Sequence, residues 1–196
     1  MAPAPAPMLC RRSAARRRCS PDPARLRRSR RWPICERAPV FTIDPLAIAE
    51  GRPVADEALG WAKPLLGEEP IAISATGPPD EVADIQRRLG RERAGALVEE
   101  TLAAIARGLA ASGVRRFVIA GGETAGAIVQ ALGVTGLRIG RQIDPGVPWT
   151  ASLPASLREK PLALALKSGN FGAPDFFLRA FSVLSKVRQD ERGKSS

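Results

Sequence analysis

The 196-residue sequence contains no histidine. That removes the usual general base of neutral-pH catalysis and every histidine-containing triad. Cysteine is scarce and confined to Cys10, Cys19 and Cys35. An odd number of cysteines, with no paired ligand spacing and no histidine, argues against a zinc site. Beyond Cys35 there is neither a disulfide nor a thiol nucleophile, which suits a reducing cytoplasm and makes a cytoplasmic location the expectation. No run approaches the roughly 20 apolar residues that a membrane span requires, so no membrane association is expected. Two phosphate-binding signatures are also missing: GxxxxGK(S/T) does not occur, and GxGxxG does not occur in a strand-to-helix register. Chemistry is left to carboxylates, lysine, hydroxyls and backbone amides.

The net charge of +10 would suggest a nucleic-acid partner if it were spread over the chain. It is not. Residues 1–37 hold eleven arginines against Asp22 and Glu36, a local charge of +9. The remaining 159 residues carry nineteen basic and eighteen acidic side chains and are almost neutral. Residues 1–38 are dominated by proline, alanine and arginine. They bury too little apolar surface to offset the entropy of ordering, and a disordered segment is expected there. An organellar transit peptide, a nucleic-acid-binding arm and a stretch with no selected role are alternative readings of it. A secretory signal is disfavoured because no apolar core follows the arginines. Only Trp32 interleaves the basic run, so base stacking has little support and a nucleic-acid partner is not expected.

From residue 39 to 188 the pattern is that of an α/β domain, followed by a short polar tail at 189–196 that is also expected to be disordered. Strand candidates at 40–45, 70–75, 115–120, 135–140 and 161–166 alternate with helix candidates at 56–66, 81–89, 91–111, 124–132 and 173–184. Ala96, Leu97, Leu102, Ala103, Ile105, Ala106 and Leu109 form an apolar stripe on the longest helix. Such alternation predicts a mainly parallel sheet with helices on both faces.

Two loops are candidates for chemistry. In the first, the apolar strand ending at Ala120 meets Gly121, Gly122, Glu123 and Thr124 at the start of a helix. The glycines permit tight turning and close approach of a ligand, and free N–H groups at the helix start suit a phosphate. Thr124 is placed to cap the helix or hold a phosphate oxygen, and Glu123 to bind a ribose hydroxyl or, through water, magnesium. An ordinary strand-to-helix turn explains the same residues. In the second, LALAL runs into Lys167, Ser168, Gly169, Asn170, Phe171 and Gly172. Lys167 is a point charge suited to phosphate, with hydroxyl, amide and glycine donors beside it; a solvated polar turn is the plain alternative. Ligands of open α/β sheets collect beyond the carboxyl ends of strands, which is where both loops fall. A third stretch, residues 144–150, reads as a proline-stiffened loop whose Trp149 either walls an adenine pocket or sits in the core.

The blocks GGETAGAIVQALGV, LRIGRQIDPGVPW and PLALALKSGNFGAPDFFLRAF, in this order and spacing, resemble the nucleotide-binding C-terminal domain of the four-carbon acid sugar kinases. The resemblance spans about 121–181 and extends more loosely back to about residue 41. It implies an α/β fold and ATP- and Mg2+-dependent phosphorylation of a sugar-acid hydroxyl. It also implies ATP contacts from Gly121, Gly122, Glu123, Thr124 and Gly169. Lys167, Ser168, Asn170 and Gly172 complete the second loop. The family's substrate domain carries an Asp-Asp-x-Thr-Gly type motif, and a serine-rich loop precedes its nucleotide domain; neither is found here. The expectation is a nucleotide domain without its substrate half, inactive alone and able to engage a four-carbon sugar acid only if a substrate domain is supplied. A homo-oligomer is compatible with this reading.

Overall fold

The computed structural model describes residues 8–12, 38–67, 69–75, 79–153, 160–168, 176–177 and 179–184. Seven strands make one sheet: β1 (Met8–Arg12), β2 (Val40–Thr42), β3 (Ile71–Ser74), β4 (Val114–Ala120), β5 (Leu137–Asp144), β6 (Val147–Ser152) and β7 (Ala163–Lys167). Their order is β2-β3-β1-β4-β7-β6-β5. The helices are α1 (Pro45–Ala49), α2 (Val54–Ala62), α3 (Pro79–Leu89), α4 (Arg91–Ala111) and α5 (Gly122–Ala131). Among the described residues no helix is long and apolar enough to cross a membrane.

The expected α/β architecture is present, and the sheet is mixed in its pairings. β2 pairs β3 and β4 pairs β7 in parallel, while β1 and β6 run against their neighbours. Side chains alternate between two cores, as the two-residue period of a strand dictates. Ile71, Ile73, Phe117, Ile119 and Leu164 face α1, α2, α4 and α5. Ala72, Val118, Ala120 and Ala165 face Trp149 and the helical residues Phe176, Phe177, Ala180 and Phe181. Helical cover on both faces makes the central strands continuous apolar runs.

Within the N-terminal segment Met8–Arg12 form β1; the rest of it up to residue 37 lies outside the described residues, as does the tail 189–196. Three sequence expectations shift. The buried stripe of α4 runs through Ala94, Val98, Thr101, Leu102, Ile105, Ala106 and Leu109. Ala96 is exposed, because contact with the sheet sets the phase of the helix further round. α5 begins at Gly122, two residues before the expected start. Finally, residues 144–150 are a β-hairpin rather than a loop. Pro145 and Gly146 turn the chain, with Gly146 at φ +77°, in the left-handed region open to glycine. Pro148 is tolerated in β6 where the β5–β6 register is irregular, at its partner Gln142.

Candidate functional site

The site is built on the parallel neighbours β4 and β7. Their registers align Ala120 with Lys167, so both strands end at one level on the carboxyl edge of the sheet. The Gly121 N–H donates to the Lys167 carbonyl at 2.9 Å and ties the two loops together. Gly121 has φ +105°, a conformation that a side chain would strain. It is also the N-cap of α5, and no side chain caps that helix. The amides of its first turn therefore lack the capping oxygen that a serine or aspartate would supply, and the positive end of the helix dipole opens at the loop. A methyl group added at Gly122 would meet nothing within 4 Å, so the space beside the helix start is clear.

The polar residues take different positions around this opening. Glu123 is exposed. Thr124 is only 3% exposed and lies inside the helix, so it is not the cap; Gly121 is. Lys167 is 4% exposed although it carries an ammonium group. Its Nζ lies 3.3 Å from the Ser168 carbonyl oxygen and 6.0 Å from the centre of the Phe176 ring. Burial holds its pKa below the ordinary lysine value. Ser168 is exposed. Gly169, Asn170 and Gly172 lie outside the described residues.

Trp149 does not wall this opening. It is 3% exposed, packs against Phe181, and donates its Nε1–H to the Ala180 carbonyl at 2.8 Å. The core reading of this residue holds, because a buried indole N–H needs an acceptor and has found one. Nearby, Arg179 pairs with Asp144 and fixes the helical residues to the hairpin.

One residue near the site escaped sequence reasoning. Glu99 of α4 has its carboxyl pKa raised, first by burial and then by the negative charge of Glu123. In the sequence it is one acid in a helical polar run, and only the packing of α4 against α5 brings it towards the loop. Among the described residues there is no group of three or more metal-ligating side chains. The arrangement suits an anion held by helix amides and a lysine, with a carboxylate beside it for a hydrated cation.

Comparison with known proteins identifies the family. The family described as the nucleotide-binding C-terminal domain matches residues 24–177. The chain is 62% identical over 146 residues to the 3-oxo-tetronate kinase of Burkholderia multivorans, covering 74% of this chain and 33% of that one. It is 59% identical over 155 residues to the 3-oxo-tetronate kinase of Cupriavidus necator, covering 79% and 34%. A Haemophilus influenzae protein of known crystal structure superposes with a TM-score of 0.68 at 40% identity, covering 75% of this chain and 35% of that one. The chain thus spans about a third of the length of the curated relatives it matches.

Proposed function

The chain belongs to the four-carbon acid sugar kinase family, as its nucleotide-binding C-terminal domain, and on that premise we propose that it binds ATP at the β4–β7 edge for phosphorylation of a four-carbon sugar acid. The observation that carries this reading is the Gly121–Lys167 link. It places an uncapped helix start and a buried cation at the ends of two adjacent parallel strands. Phosphoryl transfer depends mainly on positioning and charge neutralisation, and amides with a lysine supply both. Gly121, Gly122, Glu123 and Thr124 would form one wall of the proposed nucleotide site and Lys167 and Ser168 the other; Gly169, Asn170 and Gly172 are assigned to it from the sequence and the family resemblance alone.

Magnesium fits this donor set as a partner of the phosphates. Exposed Glu123 offers one carboxylate, and magnesium bound with substrate phosphates commonly keeps its remaining positions for water. The ion would neutralise phosphate charge, while Lys167 would hold an oxygen on the opposite side. The relatives' names support 3-oxo-tetronate as the acceptor, phosphorylated at its 4-position by resemblance. Recognition of that acid is assigned to a substrate domain outside the matched region, so turnover requires such a domain to be supplied. A cytoplasmic setting accords with this chemistry. Titration calorimetry with Mg2+-ATP tests the nucleotide reading: saturable binding is expected, and a folded chain giving no heat would remove it. A coupled ADP-release assay with tetronates tests the second part, since robust turnover by this chain alone would contradict the need for a substrate domain.

A further inference from the structure

α4 reaches past the edge of the sheet on which the candidate loops lie. Only Ser112 and Gly113 join it to β4, so the helix runs back along the strand in the opposite direction. The seven residues of β4 rise about 23 Å, a height that a helix covers in about fifteen residues. α4 has 21 residues. Residues 96–99 therefore lie level with the end of β4, and residues 91–95 stand above the carboxyl edge.

The neighbours of α4 fix which way its flanks look. A side chain added at Gly108 would run into Leu59, so that flank meets α2. At about 100° per residue, Glu99 lies on the opposite flank, with Gly95 and Glu92 above it. α5 packs against α4 there, and the charge of Glu123 in its first turn acts on the Glu99 carboxyl. Glu99 is half-buried, and neither it nor Glu92 has a hydrogen-bond or ion-pair partner among the described residues. A methyl group added at Gly95 would meet nothing within 4 Å, and the same holds at Gly122 across the recess. The other face of the sheet is closed by Trp149, Phe176, Phe177 and Phe181. A nucleotide with its phosphates at the start of α5 is left with the flank of α4 for its nucleoside. A carboxylate repels phosphate and only accepts hydrogen bonds, whereas the vicinal hydroxyls of a ribose can donate two.

We propose that Glu99 is the ribose-binding residue of this site, its carboxylate accepting hydrogen bonds from the 2′- and 3′-hydroxyls of ATP while the phosphates lie at the start of α5. This assignment rests on the nucleotide reading given above and adds to it the residue that selects a ribonucleotide. A carboxylate partly withdrawn from water and lacking a donor gains most from one that the ligand brings.

Calorimetry on the full chain with Mg2+ tests it by comparing ATP, 2′,3′-dideoxy-ATP and tripolyphosphate. The parent chain should bind ATP at least about tenfold more tightly than the dideoxy nucleotide, the range for hydrogen bonds to a charged group. In Glu99→Ala the affinity for ATP should fall to that for the dideoxy nucleotide, while neither the dideoxy nucleotide nor tripolyphosphate binds more weakly than to the parent. Equal binding of the two nucleotides by the parent chain overturns the assignment, as does a preference for ATP that survives in Glu99→Ala. Equal weakening of both nucleotides in that variant does the same, since the carboxylate would then serve phosphate or magnesium. Glu99→Gln keeps the shape of the side chain and should narrow the preference; an unchanged preference in it overturns the assignment where the alanine variant does not fold. A folded parent chain that binds none of the three ligands removes the nucleotide reading and this assignment with it, whereas ATP bound without regard to its hydroxyls removes the ribose assignment alone.

Discussion

β4 has two neighbours, and they differ in direction, register and charge. β7 runs parallel to it over five consecutive pairs without a break and ends in Lys167. β1 runs antiparallel, slips between Arg11 and Arg12, and belongs to the arginine-rich segment. The β7 side carries the hydrogen bond that joins the two candidate loops. The β1 side supplies no residue of the candidate site. The difference teaches that the two candidate loops leave one edge together where pairing is in register. A neighbouring strand position can meanwhile be filled by a segment that only approximately suits it.

The largest effect is expected from Gly121→Val. A β-branched residue at φ +105° is strained by about 1–3 kcal/mol, and relieving that strain moves the Gly121 N–H away from Lys167. Calorimetry should detect no Mg2+-ATP binding, while circular dichroism still reports a folded chain. Arg11→Val with Arg12→Val, on the other side of β4, should leave ATP affinity within about twofold, as expected for sites without shared partners. If the two substitutions had equal effects on ATP, the contrast between the two edges would fail.

Lys167→Met comes next. It keeps most of the buried side-chain volume and removes the charge, so ATP affinity should fall roughly ten- to a hundredfold, the range for a charge-assisted hydrogen bond. The pH dependence follows from the same residue. The folded pKa of Lys167 lies below its unfolded value, so the folded chain binds fewer protons between the two. The contribution of Lys167 to stability therefore increases as pH rises through that alkaline window. ATP affinity moves oppositely, because phosphates favour the ammonium form, and it should decline as Lys167 deprotonates. In Lys167→Met both slopes should flatten, as read by melting curves and calorimetry across alkaline pH.

Much of this site was legible because its signals are local. The strand ending at Ala120, the two glycines after it and the lysine ending LALAL each announce themselves within a few residues. Their meeting at one edge follows from parallel pairing, which the alternation of strands and helices implies. Non-local features were hidden. β1 has three apolar residues between a proline-alanine stretch and arginines, and only pairing with β3 and β4 more than 60 residues away makes it a strand. The hairpin at 144–147 was masked by prolines that normally interrupt strands, and it survives on the flanking pairing of β6 with β7. Trp149 was undecided until its acceptor, the Ala180 carbonyl, was in place.

Glu99→Gln gives the smallest effect and sharpens the comparison from behind the site. The carboxyl of Glu99 has a folded pKa above its unfolded value, through burial first and Glu123 second. The folded chain therefore binds the proton more tightly than the unfolded chain does. Stability from this source is fully present below the ordinary carboxylate pKa and is lost as pH rises through the raised one. At neutral pH the ionised group sits at a disadvantage, softened by solvent because it is only partly buried. Glutamine removes the disadvantage, so the melting temperature at pH 7 should rise by about 1 °C, a change set by a fraction of 1 kcal/mol in a chain of this size. Near pH 4 the two proteins should melt together. A variant that melts lower at pH 7 would mean that ionised Glu99 is held by a favourable partner in the free chain, and its carboxylate would then not be open to a ribose hydroxyl.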